Sequence, residues 1–283
     1  MKVGLVLEGG AMRGLFTAGV MDVLMENGIE VDGVVGVSAG AAFGCNYKSK
    51  QIGRVLRYNL NYCKDPRYCS VRSLIKTGNM FGADFCYREL PDELDLFDYD
   101  AFDNNMMEFH VVCTDVETGE PIYKKFNKTE PDLLEWIRAS ASMPLASEIV
   151  EVGGYKLLDG GISDSIPLKY FENAGYDKNI VILTQPLNYV KGKNKLMPIM
   201  RRVLKKYPEL IEVMANRHIE YNSATEYIKE KEAVGNIIVI RPEESLDIGK
   251  VEHDPEKIKR VYQLGRDLGQ KSIEKVKKFI NKV

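Results

Sequence analysis

Histidine is scarce in this chain, with three in 283 residues, and tryptophan occurs once. The five cysteines, Cys45, Cys63, Cys69, Cys86 and Cys113, are odd in number, and no two form a Cys-x-x-Cys pair. So few soft ligands leave no basis for a metal centre, and the thiols are expected to be reduced rather than paired. Long apolar runs are missing too. Residues 1–10 carry one Lys and a five-residue apolar run broken by Glu8. That makes neither a secretory signal nor a membrane span, so a cytoplasmic protein is expected, with any membrane contact peripheral, at the inner face. Charge of one sign is also lacking: the net is -2, which gives no general pull toward nucleic acid. The charge is unevenly spread, however, because residues 187–283 hold 21 Lys and Arg against 14 Asp and Glu. That basic third reads either as a solvated helical surface or as a face for anionic lipid.

What is present is a 45% apolar chain, ample for a core in one long domain or two small ones. A short apolar run, Val3 to Leu7, reads as a buried strand, and a helical pattern follows that ends near Gly28. Gly33 to Val37 reads as a second strand, and Ala39-Gly40-Ala41-Ala42 opens a second helix. Strand and helix in alternation, joined by short turns, predict a mainly parallel sheet with helices on both faces. Residues 46–108 differ, with many aromatics such as Tyr58, Tyr68, Phe81, Phe85 and Phe97. They form either a lid and acyl-pocket wall or ordinary core filling. Further strands are expected at 109–113, 121–123, 149–152, 155–158, 181–183 and 237–240. Helical periodicity runs over 133–141, 196–232 and 255–281.

Three turns carry chemistry. Gly36-Val37-Ser38-Ala39-Gly40 is a GxSxG string between a strand and a helix start. A nucleophile on such a turn sits in strained backbone, and its neighbours two residues away must be small. Gly9-Gly10-Ala11-Met12-Arg13-Gly14 is a second strand-to-helix turn. Its N–H groups can face an anion; it matches neither GxGxxG nor GxxxxGK[ST], so an oxyanion hole beside the elbow is the reading. Arg13 either braces this turn or meets a phosphate. The third is Asp159-Gly160-Gly161, where a carboxylate at a strand end serves as a turn former or as the base for Ser38. Of the histidines, His110 reads as structural, His218 as solvated on a charged helix, and His253 as a loop residue. His253 completes the order Ser38, Asp159, His253, which is that of an α/β-hydrolase triad, and stands as the alternative base.

Together these turns resemble the patatin-like phospholipase family, with supporting stretches at 113–119, 139–144 and 159–167. The resemblance runs from about Val3 to Tyr170. It implies a three-layer α/β fold and a Ser38–Asp159 dyad that needs neither histidine, metal nor cofactor. It also implies a lipid acyl ester as substrate. Two departures are Ala11, where the family often has a third glycine, and Ser165, where it often has Asn. On this reading residues 1–185 form the catalytic domain with 46–108 inserted, and 186–283 form a helical region packed on it. A non-catalytic lipid- or partner-binding module on the same fold is the competing class.

Overall fold

Apolar runs that alternate between two buried faces build the centre of the molecule. In the computed structural model, which describes residues 1–281, the strands are β1 (Lys2–Leu7), β2 (Gly33–Val37), β3 (Glu108–Asp115), β4 (Pro121–Phe126), β5 (Val150–Val152), β6 (Tyr155–Asp159), β7 (Tyr176–Ile182) and β8 (Ile237–Ile240). They form one sheet in the order β5-β6-β3-β2-β1-β7-β8, with β4 paired to β3. The pairs β1–β2, β1–β7, β2–β3 and β7–β8 are parallel, while β4 and β6 run antiparallel to β3, and β5 to β6. Leu5 and Leu7 point into one hydrophobic cluster and Val6 into the other; Val34 and Val35 divide in the same way. Both faces are covered, which is why these strands read as unbroken apolar runs rather than as alternation.

One face is covered by α1 (Gly14–Glu26), α2 (Ala39–Lys48), α6 (Leu133–Ser140) and α10 (Pro255–Ile280). The other carries α7 (Leu168–Asn173) and α9 (Pro208–Ala233). A side chain on Gly265 of α10 would collide with the Phe16 carbonyl of α1, so these two helices meet almost backbone to backbone. Between β2 and β3 lie α3 (Arg54–Tyr62), α4 (Val71–Thr77), a wide π-helical segment Phe85–Leu94 and α5 (Tyr99–Asn104).

The helical periodicity over 196–232 resolves into two helices. The first, α8, spans Met197–Val203, and α9 begins afresh at Pro208. Proline lacks the N–H a continuing helix needs, and it drives the preceding residue out of helical conformation; Tyr207 has φ -125° and ψ 73°. The Gly153-Gly154 hairpin turn is found with both glycines at positive φ, as a two-residue hairpin requires.

His110 lies inside β3, buried, with Nδ1 2.9 Å from the Tyr170 hydroxyl. Burial pushes its pKa down to about 4. The unfolded chain therefore binds a proton below pH 6.5 that the folded chain refuses until about pH 4. The stability His110 contributes is full above pH 6.5 and drains away as the pH falls toward 4, by up to about 3 kcal/mol. Denaturation of His110→Gln between pH 7 and 4 is expected to show a shallower loss than wild type. Parallel pH profiles would refute this account of His110.

Candidate active site

β2 ends at Val37, and the chain turns at Ser38 straight into α2. Ser38 has φ 56° and ψ -121°, backbone that a side-chain-bearing residue rarely adopts and that costs of order 1–3 kcal/mol. The glycines on either side make the turn possible. A Cβ on Gly40 would stand 2.5 Å from the Leu7 carbonyl oxygen, and one on Gly36 would strike Gly40. The Ser38 N–H is also held from outside its own turn, by donation to Ser140 Oγ at 2.9 Å. Ser140 in turn donates to the Val112 carbonyl at 2.6 Å, tying α6, β3 and the elbow together.

Asp159 closes β6 opposite Cys113 of β3, one strand beyond the elbow. Its N–H donates to the Ser142 carbonyl at 2.8 Å, and its carbonyl accepts from Thr114 Oγ1 at 2.9 Å. The carboxylate is buried, accepts from the Gly161 N–H at 2.8 Å and shares a cavity with Ser38. Burial raises its pKa above the ordinary aspartate value, against the opposing pull of Arg217, the Ser38 hydroxyl and the Gly161 N–H. A side chain on Gly161 would meet Arg217 and the Asp159 oxygen itself, each at 3.0 Å.

The glycine-rich turn lies directly behind Ser38: a Cβ on Gly9 would come within 3.1 Å of Ser38 Cβ. Ala11 takes φ 48°, so alanine here bears the left-handed strain that glycine would not. Gly9, Gly10, Ala11 and Arg13 line the cavity in front of Ser38 and Asp159. Met12 turns into the core and lines a second cavity, while Gly14 opens α1 against Ala39. Gly160 packs on the Val112 carbonyl, away from both cavities.

These two cavities meet at Ser38, Ala11 and Met143, which line both. One is apolar and runs under the aromatic segment, walled by Phe43, Tyr58, Tyr68, Phe81, Tyr87 and Phe97. Phe85 is buried next to Tyr62 and Tyr68 and does not reach it. The other is polar and contains Glu8, Asp159, Arg13, Lys191, Arg217, His218 and Lys250. Glu8 is buried and accepts from the Thr184 N–H at 2.6 Å and the Tyr221 hydroxyl at 2.7 Å; burial holds its pKa up. The Nε atoms of Arg13 and Arg217 are buried without a hydrogen-bond partner.

The structure does not bring His253 to this site. Its Nδ1 meets the Cys63 carbonyl, and it lines neither cavity, so the triad alternative is corrected: His253 is out of place to serve Ser38. His218 is corrected as well, from solvated to a half-buried wall of the polar cavity. Sequence reading missed Glu8, Lys191, Arg217 and Lys250 as site residues. It read Glu8 only as a break in an apolar run, although an acid directly after a buried strand was a signal.

A strained serine turn and a buried carboxylate thus share one cavity at the edge of a three-layer α/β sheet. Residues 5–172 match the family described as Patatin-like phospholipase, and residues 207–281 match a domain of unknown function, DUF6363. The uncharacterized protein YjjU of Escherichia coli is 28% identical over 290 residues, covering 99% of this chain and 79% of that protein. Lysophospholipase nte1 of Aspergillus terreus is 24% identical over 304 residues, covering 98% of this chain but only 18% of that protein. The solved structure of VipD from Legionella pneumophila aligns with a TM-score of 0.47 at 12% identity, over 97% of this chain and 67% of its own. The chain belongs to the patatin-like phospholipase family and is a lipid ester hydrolase.

Ser140 lines neither cavity, so it bears on Ser38 only through the turn it holds. Ser140→Ala leaves the Ser38 N–H without its acceptor and is expected to cost about 1–2 kcal/mol of stability. It should also lower kcat on a small soluble ester with KM little changed. A change confined to KM would argue against this role.

Proposed function

We propose that Ser38 is the nucleophile of a phospholipase A- or lysophospholipase-like enzyme and that Asp159 is its only general base and acid. What supports this is a strained Ser38 that shares one cavity with a buried carboxylate whose pKa is raised. An aspartate made more basic by burial is better matched to taking a proton near neutral pH than an exposed one. Ser38 Oγ attacks the acyl carbonyl carbon as its proton passes to Asp159. The N–H groups of Gly10, Ala11 and Met12 receive the developing oxyanion, helped by the positive end of α2. The C–O bond to the alcohol then breaks, Asp159 returns the proton to the departing oxygen, and an acyl-Ser38 ester remains. Water attacks that ester with its proton going to Asp159, the acid leaves, and Ser38 regains its hydroxyl.

The two cavities assign the two ends of the substrate. The acyl chain fits the aromatic-walled cavity, where transfer from water is favourable. The alcohol fits the polar side, where Arg13, Lys191, Arg217 and Lys250 outnumber the carboxylates of Glu8 and Asp159. Lys191 has its pKa drawn down to about 8 by burial and by the nearby Arg217 charge. Cations crowded this way favour an alcohol that carries a phosphate over a neutral glyceride.

Ser38→Ala and Asp159→Asn should each lower turnover of a short-chain nitrophenyl ester by several orders of magnitude, on the scale of losing a catalytic nucleophile or base. A fluorophosphonate probe should label Ser38 in the wild type and nothing in Ser38→Ala. Absence of labelling in the wild type would favour the non-catalytic module instead. Lys191→Gln should raise KM for a lysophospholipid by about tenfold, the worth of one charge-assisted hydrogen bond, and leave a monoglyceride nearly unaffected. Equal losses on both would remove the phosphate assignment.

A further inference from the structure

Between Asp177 and Glu209 the chain contains no acidic residue, and residues 187–206 carry seven Lys and Arg. The same stretch exposes five large apolar side chains: Leu187, Val190, Leu196, Ile199 and Val203. Val190 is 74% exposed, Val203 60% and Ile199 52%, so these are not partly covered core residues. Leu196, Ile199 and Val203 fall at i, i+3 and i+7 along α8 and its first cap, which puts them in one stripe. Arg202 and Lys206 stand one turn from that stripe on the same segment, both exposed.

The opposite side of α8 is anchored. Met200 and Leu204 are buried against Leu158, Ile162, Leu210 and Met214. The chain just before it is pinned to α9, with the Lys191 N–H donating to Asn222 Oδ1 at 2.8 Å and Asn222 donating back to the Lys191 carbonyl at 3.1 Å. The outward stripe is thus held on a fixed support. The same segment also walls the active site, because Lys191, Asn194, Leu196 and Met200 line the polar cavity in front of Ser38.

We infer that residues 187–206 are a docking surface for an anionic lipid bilayer, seated at the rim of the active site. An exposed apolar stripe flanked by cations matches the interface of such a membrane: the side chains enter the acyl boundary while Lys and Arg meet lipid phosphates. A second copy of this chain suits the surface poorly, since a two-fold contact would face cations with cations. Nucleic acid would meet the charge but leave the apolar stripe uncovered. Docking here sets the mouth of the polar cavity at headgroup level, so that a lipid reaches Ser38 without crossing bulk water. The inference goes beyond the acyl chemistry proposed above, and the surface binds whether or not Ser38 turns over.

The test is sedimentation of the full chain with vesicles of phosphatidylcholine alone or mixed with phosphatidylglycerol. Wild type and Ser38→Ala should both sediment with the mixed vesicles and hardly with phosphatidylcholine. Ile199→Asp combined with Val203→Asp should reduce the bound fraction by about tenfold or more, and Arg202→Gln combined with Lys206→Gln should weaken it in a salt-dependent way. Neither pair lines a cavity, so hydrolysis of a soluble nitrophenyl ester should stay at the wild-type rate, which also shows that the variants fold. Equal sedimentation of all variants, or none with anionic vesicles, would overturn the proposal. So would a wild-type dimer that the Asp pair dissociates, or tighter binding to nucleic acid than to vesicles. Binding by Ser38→Ala separates this surface from the catalytic reading, which stands or falls on the labelled serine.

Discussion

A carboxylate buried beside a hydroxyl is the interaction on which the site depends. Taking an ionised aspartate out of water is costly unless other groups replace the water. At Asp159 the replacements are the Gly161 N–H, the Ser38 hydroxyl and the positive field of Arg217. They offset the burial only in part, and the remainder is what keeps the carboxylate basic. Its backbone is clamped on both sides, by the Ser142 carbonyl and by Thr114. On the proposed mechanism a carboxylate so constrained needs no histidine to orient it; His110 lies in a strand and His253 against Cys63, while His218 lines the polar cavity.

The surroundings divide along the polarity of an ester. Segments far apart in the chain supply the two halves: the aromatic stretch between β2 and β3 builds much of the apolar cavity, and residues after β7 build half of the polar one. The aromatic stretch was read as either a lid or core filling. Tyr58, Tyr68 and Phe97 are buried and also line the cavity, so packing and pocket wall are one structure here rather than rivals. The region after β7 matches a separate domain of unknown function, yet Tyr221 reaches back to Glu8 of the glycine-rich turn and Arg217 to the environment of Asp159. Among the described residues no helix is long and apolar enough to cross a membrane.

Local chemistry was legible and distant chemistry was not. The strand, elbow and helix around Ser38 could be read because steric demands within five residues force Gly36 and Gly40. The Asp159 turn and the Gly153-Gly154 hairpin were readable for the same reason, through backbone conformations that few residue types accept. By contrast, helical periodicity runs through 196–232 because apolar spacing persists, while Pro208 decides locally that a new helix begins. Arg217 and His218 read as a solvated charged face because charges on a long helix usually are solvated. Nothing in a periodic pattern tells which turn of that helix is laid over a cavity.

The sequence by itself determined the strands, the sharp turns and the family, since each follows from residue types within reach of one another along the chain. The tertiary structure decided which groups share a space. It brought Asp159 to Ser38 across β3, rejected His253, buried Glu8 and gathered cations from four segments on one side of the serine. The physical reason is that pKa, desolvation and charge crowding depend on distance through space, which strand order and helix packing set, and sequence separation leaves open.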